Sequence, residues 1–68
     1  MGSPSPVIID YTNWQSERRE RKVLPEIIWW GQTDWHLEPQ WLLRALDCET
    51  NRVKDFALLQ VHGWRRVE

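Results

Sequence analysis

From Val7 to Thr12 the chain alternates: Val7, Ile9 and Tyr11 fall on one side, Ile8, Asp10 and Thr12 on the other. A period of two built from β-branched and aromatic residues predicts a strand. Asn13-Trp14-Gln15-Ser16-Glu17 reads as a turn. Arg18 to Leu24 alternates again with mostly charged residues and one buried position at Val23. Pro25 ends that strand or sits at a sheet edge, because it has no N–H for a ladder. Ile27-Ile28-Trp29-Trp30 is short, apolar and followed by Gly31, which favours a further strand over a helix. Gln32 to Pro39 is a polar loop carrying Trp35 and His36. Trp41 to Asp47 places Trp41, Leu43 and Ala45 on one face and Leu42, Arg44 and Leu46 on the other. Apolar residues on both faces predict a central strand. A helix begun at Glu38-Pro39 is the competing reading, but Thr50-Asn51 breaks it after about ten residues. Cys48-Glu49-Thr50-Asn51 reads as a hairpin turn with Asn51 at positive φ. Arg52 to Leu59 is its partner strand, with Phe56 and Leu58 inward. Val61 to Val67 is a last short segment, bent at Gly63, with Trp64 and Val67 as inward candidates.

Five or six short strands joined by tight turns predict an all-β fold, a small closed SH3-like or Sm-like barrel of about five strands. Closure would remove the free edges that an open sheet of this size leaves. Residues 1–5 read as a small, Pro-rich, disordered lead-in, and residues 6–68 as a single barrel domain.

Composition narrows the function. At 68 residues, one domain of this size buries only about 60% of its unfolded surface, so a deep enclosed active site is not expected. No apolar run approaches the roughly 20 residues of a membrane span. Met1 to Pro6 has neither the charged nor the apolar region of a signal peptide. A single cysteine, Cys48, leaves no disulfide framework, so a reducing, cytoplasmic setting is expected. Nine Lys and Arg nearly balance ten Asp and Glu, for a net charge of −1. The chain as a whole therefore has no electrostatic drive toward nucleic acid or anionic lipid. Against this stand six tryptophans. A core this small holds two or three, since each buries on the order of 200 Å². The remainder must be partly exposed, as binding surfaces are.

The candidate chemistry is that of binding. Arg18-Arg19-Glu20-Arg21-Lys22 is the one basic run, read either as phosphate contacts or as a solvated strand beside Glu17, Glu20 and Glu26. Trp14, Trp29, Trp30 and Trp35 offer three readings: a base-stacking platform, core filling, or a protein-binding hot spot. Asp34, His36 and Glu38 alternate three metal-ligand types without a fourth, so no metal and no cofactor is expected. His36 is better read as a loop residue bonded to a carboxylate or the backbone. Asp47 and Asp55 flank a turn and are expected to accept backbone N–H groups rather than act as an acid pair. Cys48 has no positive neighbour to activate it as a nucleophile. The three glycines, Gly2, Gly31 and Gly63, build no phosphate loop. Nothing here predicts an enzyme.

Four pieces taken together carry a family resemblance. Ile9-x-Tyr11, Arg21-x-Val23-x-Pro25, Trp41-Leu42-Leu43-x-Ala45 and Phe56-x-Leu58-x-x-Val61 resemble, in order and spacing, the I-x-Y, R-x-V-x-P, W-Y-L-x-A and R-x-F-R-L-x-R-I pattern of the WYL domain. The resemblance implies an SH3-like barrel and a ligand-sensing or regulatory role, with nucleotides or nucleic acid as ligands. It places Arg21, Lys54 and Trp41 at the ligand. The chain departs from the pattern at Leu42, Ala57 and Gln60, which stand where the family has Tyr and two Arg. The Trp35 to Trp41 stretch lies outside the pattern and resembles short uncharacterised bacterial and phage proteins. Two functions follow as expectations. One is a WYL-like regulatory module with a weakly held nucleotide or nucleic-acid ligand. The other is a protein-binding or self-associating module working through exposed Trp30, Trp35 and His36, the ligand groups having been lost.

Overall fold

The computed structural model describes residues 5–67. All but Ser5 of the expected lead-in, together with Glu68, lies outside them. The chain forms β1 (Val7–Thr12), β2 (Arg18–Gly31), β3 (Gln40–Asp47), β4 (Arg52–Ala57), a single 3₁₀ turn (Leu58–Gln60) and β5 (Val61–Arg66). They make one antiparallel sheet in the order β4-β3-β2-β1-β5. The first four strands meander, and the 3₁₀ turn then carries the chain back so that β5 pairs along β1. The fold is all-β, and among the described residues no helix is long and apolar enough to cross a membrane.

Three expectations are corrected. First, the two strands expected before and after Pro25 are one: of the two alternatives for Pro25 the sheet edge holds, and β2 runs unbroken through it, with Pro25 opposite Ala45. The register shifts between Pro25 and Ile27, making Glu26 the extra residue of a β-bulge. β1 stops at Val7, opposite Val23. Pro25 thus has a strand on one side only, which is where proline is tolerated. Second, the sheet does not close. β4 and β5 are its two outer strands and pair with β3 and β1, not with each other. The barrel is open because β4 ends at Ala57 and Leu58–Gln60 turn instead of extending.

Third, the core holds no tryptophan. Ile9, Tyr11, Val23, Leu43, Ala45 and Phe56 form the buried cluster, with Val7, Leu58 and Val61 packed against it. Tyr11 and Phe56 meet edge to face, 5.0 Å between ring centres, the geometry aromatic quadrupoles favour. Trp41 shares the Leu43 face of β3 yet remains half-exposed, as does Trp64 on β5. Trp41 and its neighbour Trp30 lie where β2 and β3 run on past the end of β1, beyond the core. Leu42 is fully buried on the opposite face, as a central strand requires. Asn51 adopts φ 59° in the β3–β4 turn, a conformation Asn tolerates.

Leu43 is almost wholly buried at the centre of this cluster. Leu43→Ala is expected to cost about 2–5 kcal/mol, most of what a domain of this size has to lose. Urea denaturation followed by circular dichroism measures it; a loss under about 1 kcal/mol would show the core to be elsewhere.

Candidate functional site

Asp47 ends β3 with its side chain wholly removed from solvent. Its position follows from register. Val23 pairs with Asp47, and Arg21 lies two residues back along the same face of β2. Lys54 sits opposite Ala45, one alternation away on β4. Asp47 Oδ2 therefore accepts from both Arg21 (3.2 Å) and Lys54 Nζ (3.0 Å). Oδ1 accepts the Glu49 amide at 2.9 Å, the turn-capping bond expected of this residue. The Asn51 amide donates to the Asp47 carbonyl, and the Cys48 amide to that of Lys22. Burial works to raise the Asp47 pKa, but the Lys54 hydrogen bond and the Glu49 and Thr50 amides outweigh it and hold the carboxyl below its ordinary value. One polar atom in this cluster lacks a partner: Nε of Arg21 is buried and unbonded.

An open cleft of about 500 Å³ adjoins this ion cluster. Tyr11 and Phe56 line its base, Arg21, Arg52 and Lys54 supply cations, and Trp14, Trp35 and His36 come from the two loops. Trp14 and Trp35 stack at 28° with ring centres 6.3 Å apart, each about three-quarters exposed. Local bonds fix both loops. Asn13 Oδ1 accepts the Gln15 and Glu17 amides, and Ser16 takes φ 64° to close the turn. Thr33 Oγ1 accepts the Trp35 and His36 amides. His36 Nε2 donates to the Asp55 carbonyl at 3.1 Å, pinning the second loop to β4; its partner is backbone, one of the two expected.

Arg21 and Lys54, expected to meet a ligand, are brought together, with Asp47 as their shared counter-ion. Trp41 is not with them. It lies edge-on to Trp30 at the far end of the β2–β3 ribbon, ring centres 5.4 Å apart, because three alternations along β3 separate it from Asp47. Trp35 and His36 line the cleft, whereas Trp30 does not. Trp29 instead donates from Nε1 to Asp55 at 2.9 Å, with Arg44 over its ring and bonded to the same carboxylate. Asp55 thus accepts side chains, not the backbone N–H groups expected of it. In the basic run, Arg18 pairs with Asp10 and Arg19 with Glu49 in solvent. Among the described residues no three His, Cys, Asp or Glu side chains gather as a metal site would require. Arg52 and Tyr11 were not legible as cleft residues; the one available signal was Arg52 standing directly across the turn from Asp47.

The arrangement can hold a flat ring against indole and, beside it, a negative group at a rim lined by Arg21, Lys54 and Arg52, of which Asp47 engages the first two. No known family model matches this chain, and no curated protein matches it either.

Removing the Asp47 carboxylate leaves the part-buried Arg21 without its counter-ion, so Asp47→Ala is expected to cost about 1–3 kcal/mol. The folded pKa lies below the unfolded value of about 3.9, so this stabilisation is complete above that pH and is lost as pH falls through the folded pKa. Asp10 and Glu20, lowered by hydrogen bonds from Arg18 and Arg65, act in the same direction from the surface. Urea midpoints measured from neutral pH down to pH ~3 should fall at the acid end. Asp47→Asn should show a lower plateau and a shallower acid limb; an unchanged limb would refute the assignment.

Proposed function

We propose that this domain is a non-enzymatic binding module, WYL-like in its sequence pattern, that takes a planar anionic ligand of the nucleotide or single-stranded nucleic-acid class in the cleft. The observation carrying this reading is the pair of exposed indoles, Trp14 and Trp35, on the same cleft as Arg21, Arg52 and Lys54. Aromatic faces stack on any base for roughly 1–3 kcal/mol, and cations beside them suit phosphate. The resemblance that places Arg21 and Lys54 at a ligand supports the same assignment. A regulatory role in the reducing cytoplasm accords with the single, unpaired Cys48.

The affinity is modest by construction. Asp47 already holds two of the three cations, the overall charge is −1, and Leu42, Ala57 and Gln60 supply no further charge. Binding on the scale of non-specific contacts, roughly 10⁻⁴–10⁻⁶ M at physiological salt, follows.

Tryptophan fluorescence tests this against short single-stranded oligonucleotides and mononucleotides. Quenching should saturate and weaken as salt rises. Trp35→Ala should leave folding intact and weaken binding at least tenfold, the equivalent of one stacking contact of about 1.4 kcal/mol. Arg52→Ala should flatten the salt dependence. Quenching that is absent at low salt, or untouched by both substitutions, would dismiss the cleft as the site.

A further inference from the structure

We infer that two copies of this chain associate edge to edge along residues 24–31 of β2, about a two-fold axis. This surface is distinct from the cleft, and the inference does not rest on the ligand proposed for it. β1 ends at Val7, opposite Val23, and Pro6 before it has no N–H to continue the ladder. Past Val23, β2 has β3 on one side and, among the described residues, no strand on the other. At about 3.4 Å per residue that is some 27 Å of unpaired strand edge.

The sheet has three such edges, and their guards differ. The outer edge of β4 carries Arg52, Lys54 and Asp55, and that of β5 carries Arg65 and Arg66. Charges of this kind keep edges apart. Residues 24–31 of β2 carry one charge, Glu26; Pro25 and the bulge at Glu26 guard only the first part of this edge and leave residues 27–31 open. Around it Ile27, Ile28 and Trp30 are each more than half exposed, as is Trp41 on the adjoining strand. About a two-fold axis perpendicular to the strands two copies of one strand run antiparallel, so the stretch past the bulge can pair with itself.

The area available bounds the interface. Large aromatic side chains bury about 150–250 Å² each, so half-exposed Trp30 and Trp41 retain on the order of 100 Å² apiece. With Ile27, Ile28 and the backbone edge, each copy offers about 500 Å². The total of about 1,000 Å² is the lower limit for a specific interface. An interface at that limit belongs to the weak, concentration-dependent class, and the expected Kd is on the order of 10–100 μM, about −5 to −7 kcal/mol.

Sedimentation equilibrium of the full chain across that range tests it. The mass should rise from one chain toward two, and the amides of residues 26–31 that point away from β3 should gain hydrogen-exchange protection as concentration increases. Ile27→Lys and Ile28→Lys, on opposite faces of β2, should each weaken association at least tenfold with an unchanged strand spectrum. If either variant fails to fold, the other and the wild-type exchange pattern still decide. A chain monomeric at ten times the upper Kd overturns the inference. So does a dimer that survives both lysines, one abolished by Trp35→Ala alone, or open-ended growth beyond two copies.

Discussion

The Asp47 carboxylate is the interaction on which the rest of the site depends. A wholly buried charge in so small a domain is tolerable only if its lone pairs are filled and its charge is met. Arg21 from β2, Lys54 from β4 and the Glu49 amide of the turn do both. Three strands are thereby tied at one point, and the turn after β3 is shaped around the same side chain. The consequence for function is direct. The two cations nearest the cleft are positioned by a partner that also spends part of their charge, which leaves Arg52 as the cation among the three whose side chain the carboxylate does not engage.

The tryptophans have sorted according to the elements that carry them. The core filled with Ile9, Tyr11, Val23, Leu43, Ala45 and Phe56, chains that pack between strands at less volume than indole. Trp14 and Trp35 ride on loops held by Asn13, Thr33 and His36, so two exposed rings stay together without burial to hold them. Trp29 is held by the Asp55 carboxylate and covered by Arg44. Trp30 and Trp41 lean on each other past the end of β1. Indole thus occurs here as binding wall, as buttress and as uncovered edge.

The length of β2 links the cleft and the uncovered edge. Its first half lies between β1 and β3 and delivers Arg21 and Val23 to the interior. Its second half, beyond the Glu26 bulge, continues with β3 alone. Local sequence explains why the strand survives Pro25: the ring occupies a position with a neighbour on one side only. The same circumstance that accommodates the proline leaves the later residues without a partner strand.

Alternation along the chain was enough to locate the strands, because side-chain period and strand geometry are local. It marked Val7 to Thr12 and the strand ending at Asp47, and turn chemistry marked Asn51 for positive φ, as found. The Arg21-x-Val23-x-Pro25 pattern and Lys54 singled out two cations that do lie together. Closure was not legible, since it depends on whether β4 and β5 meet, and Leu58–Gln60 turn the chain before they can. Nor was the fate of Trp41, which has the right face but lies beyond the reach of the core. The counter-ion of Arg21 and Lys54, and the pairing of Trp14 with Trp35, join residues 21 or more positions apart or across different strands, and only the register of the folded sheet brings them within contact. Sequence alone located most of the strands and the tight turns, though not the continuity of β2 through Pro25 or the turn at Leu58–Gln60; the tertiary structure decided which side chains share a carboxylate, which rings face a cleft and which edge stays open, because those depend on contacts between segments that no local period encodes.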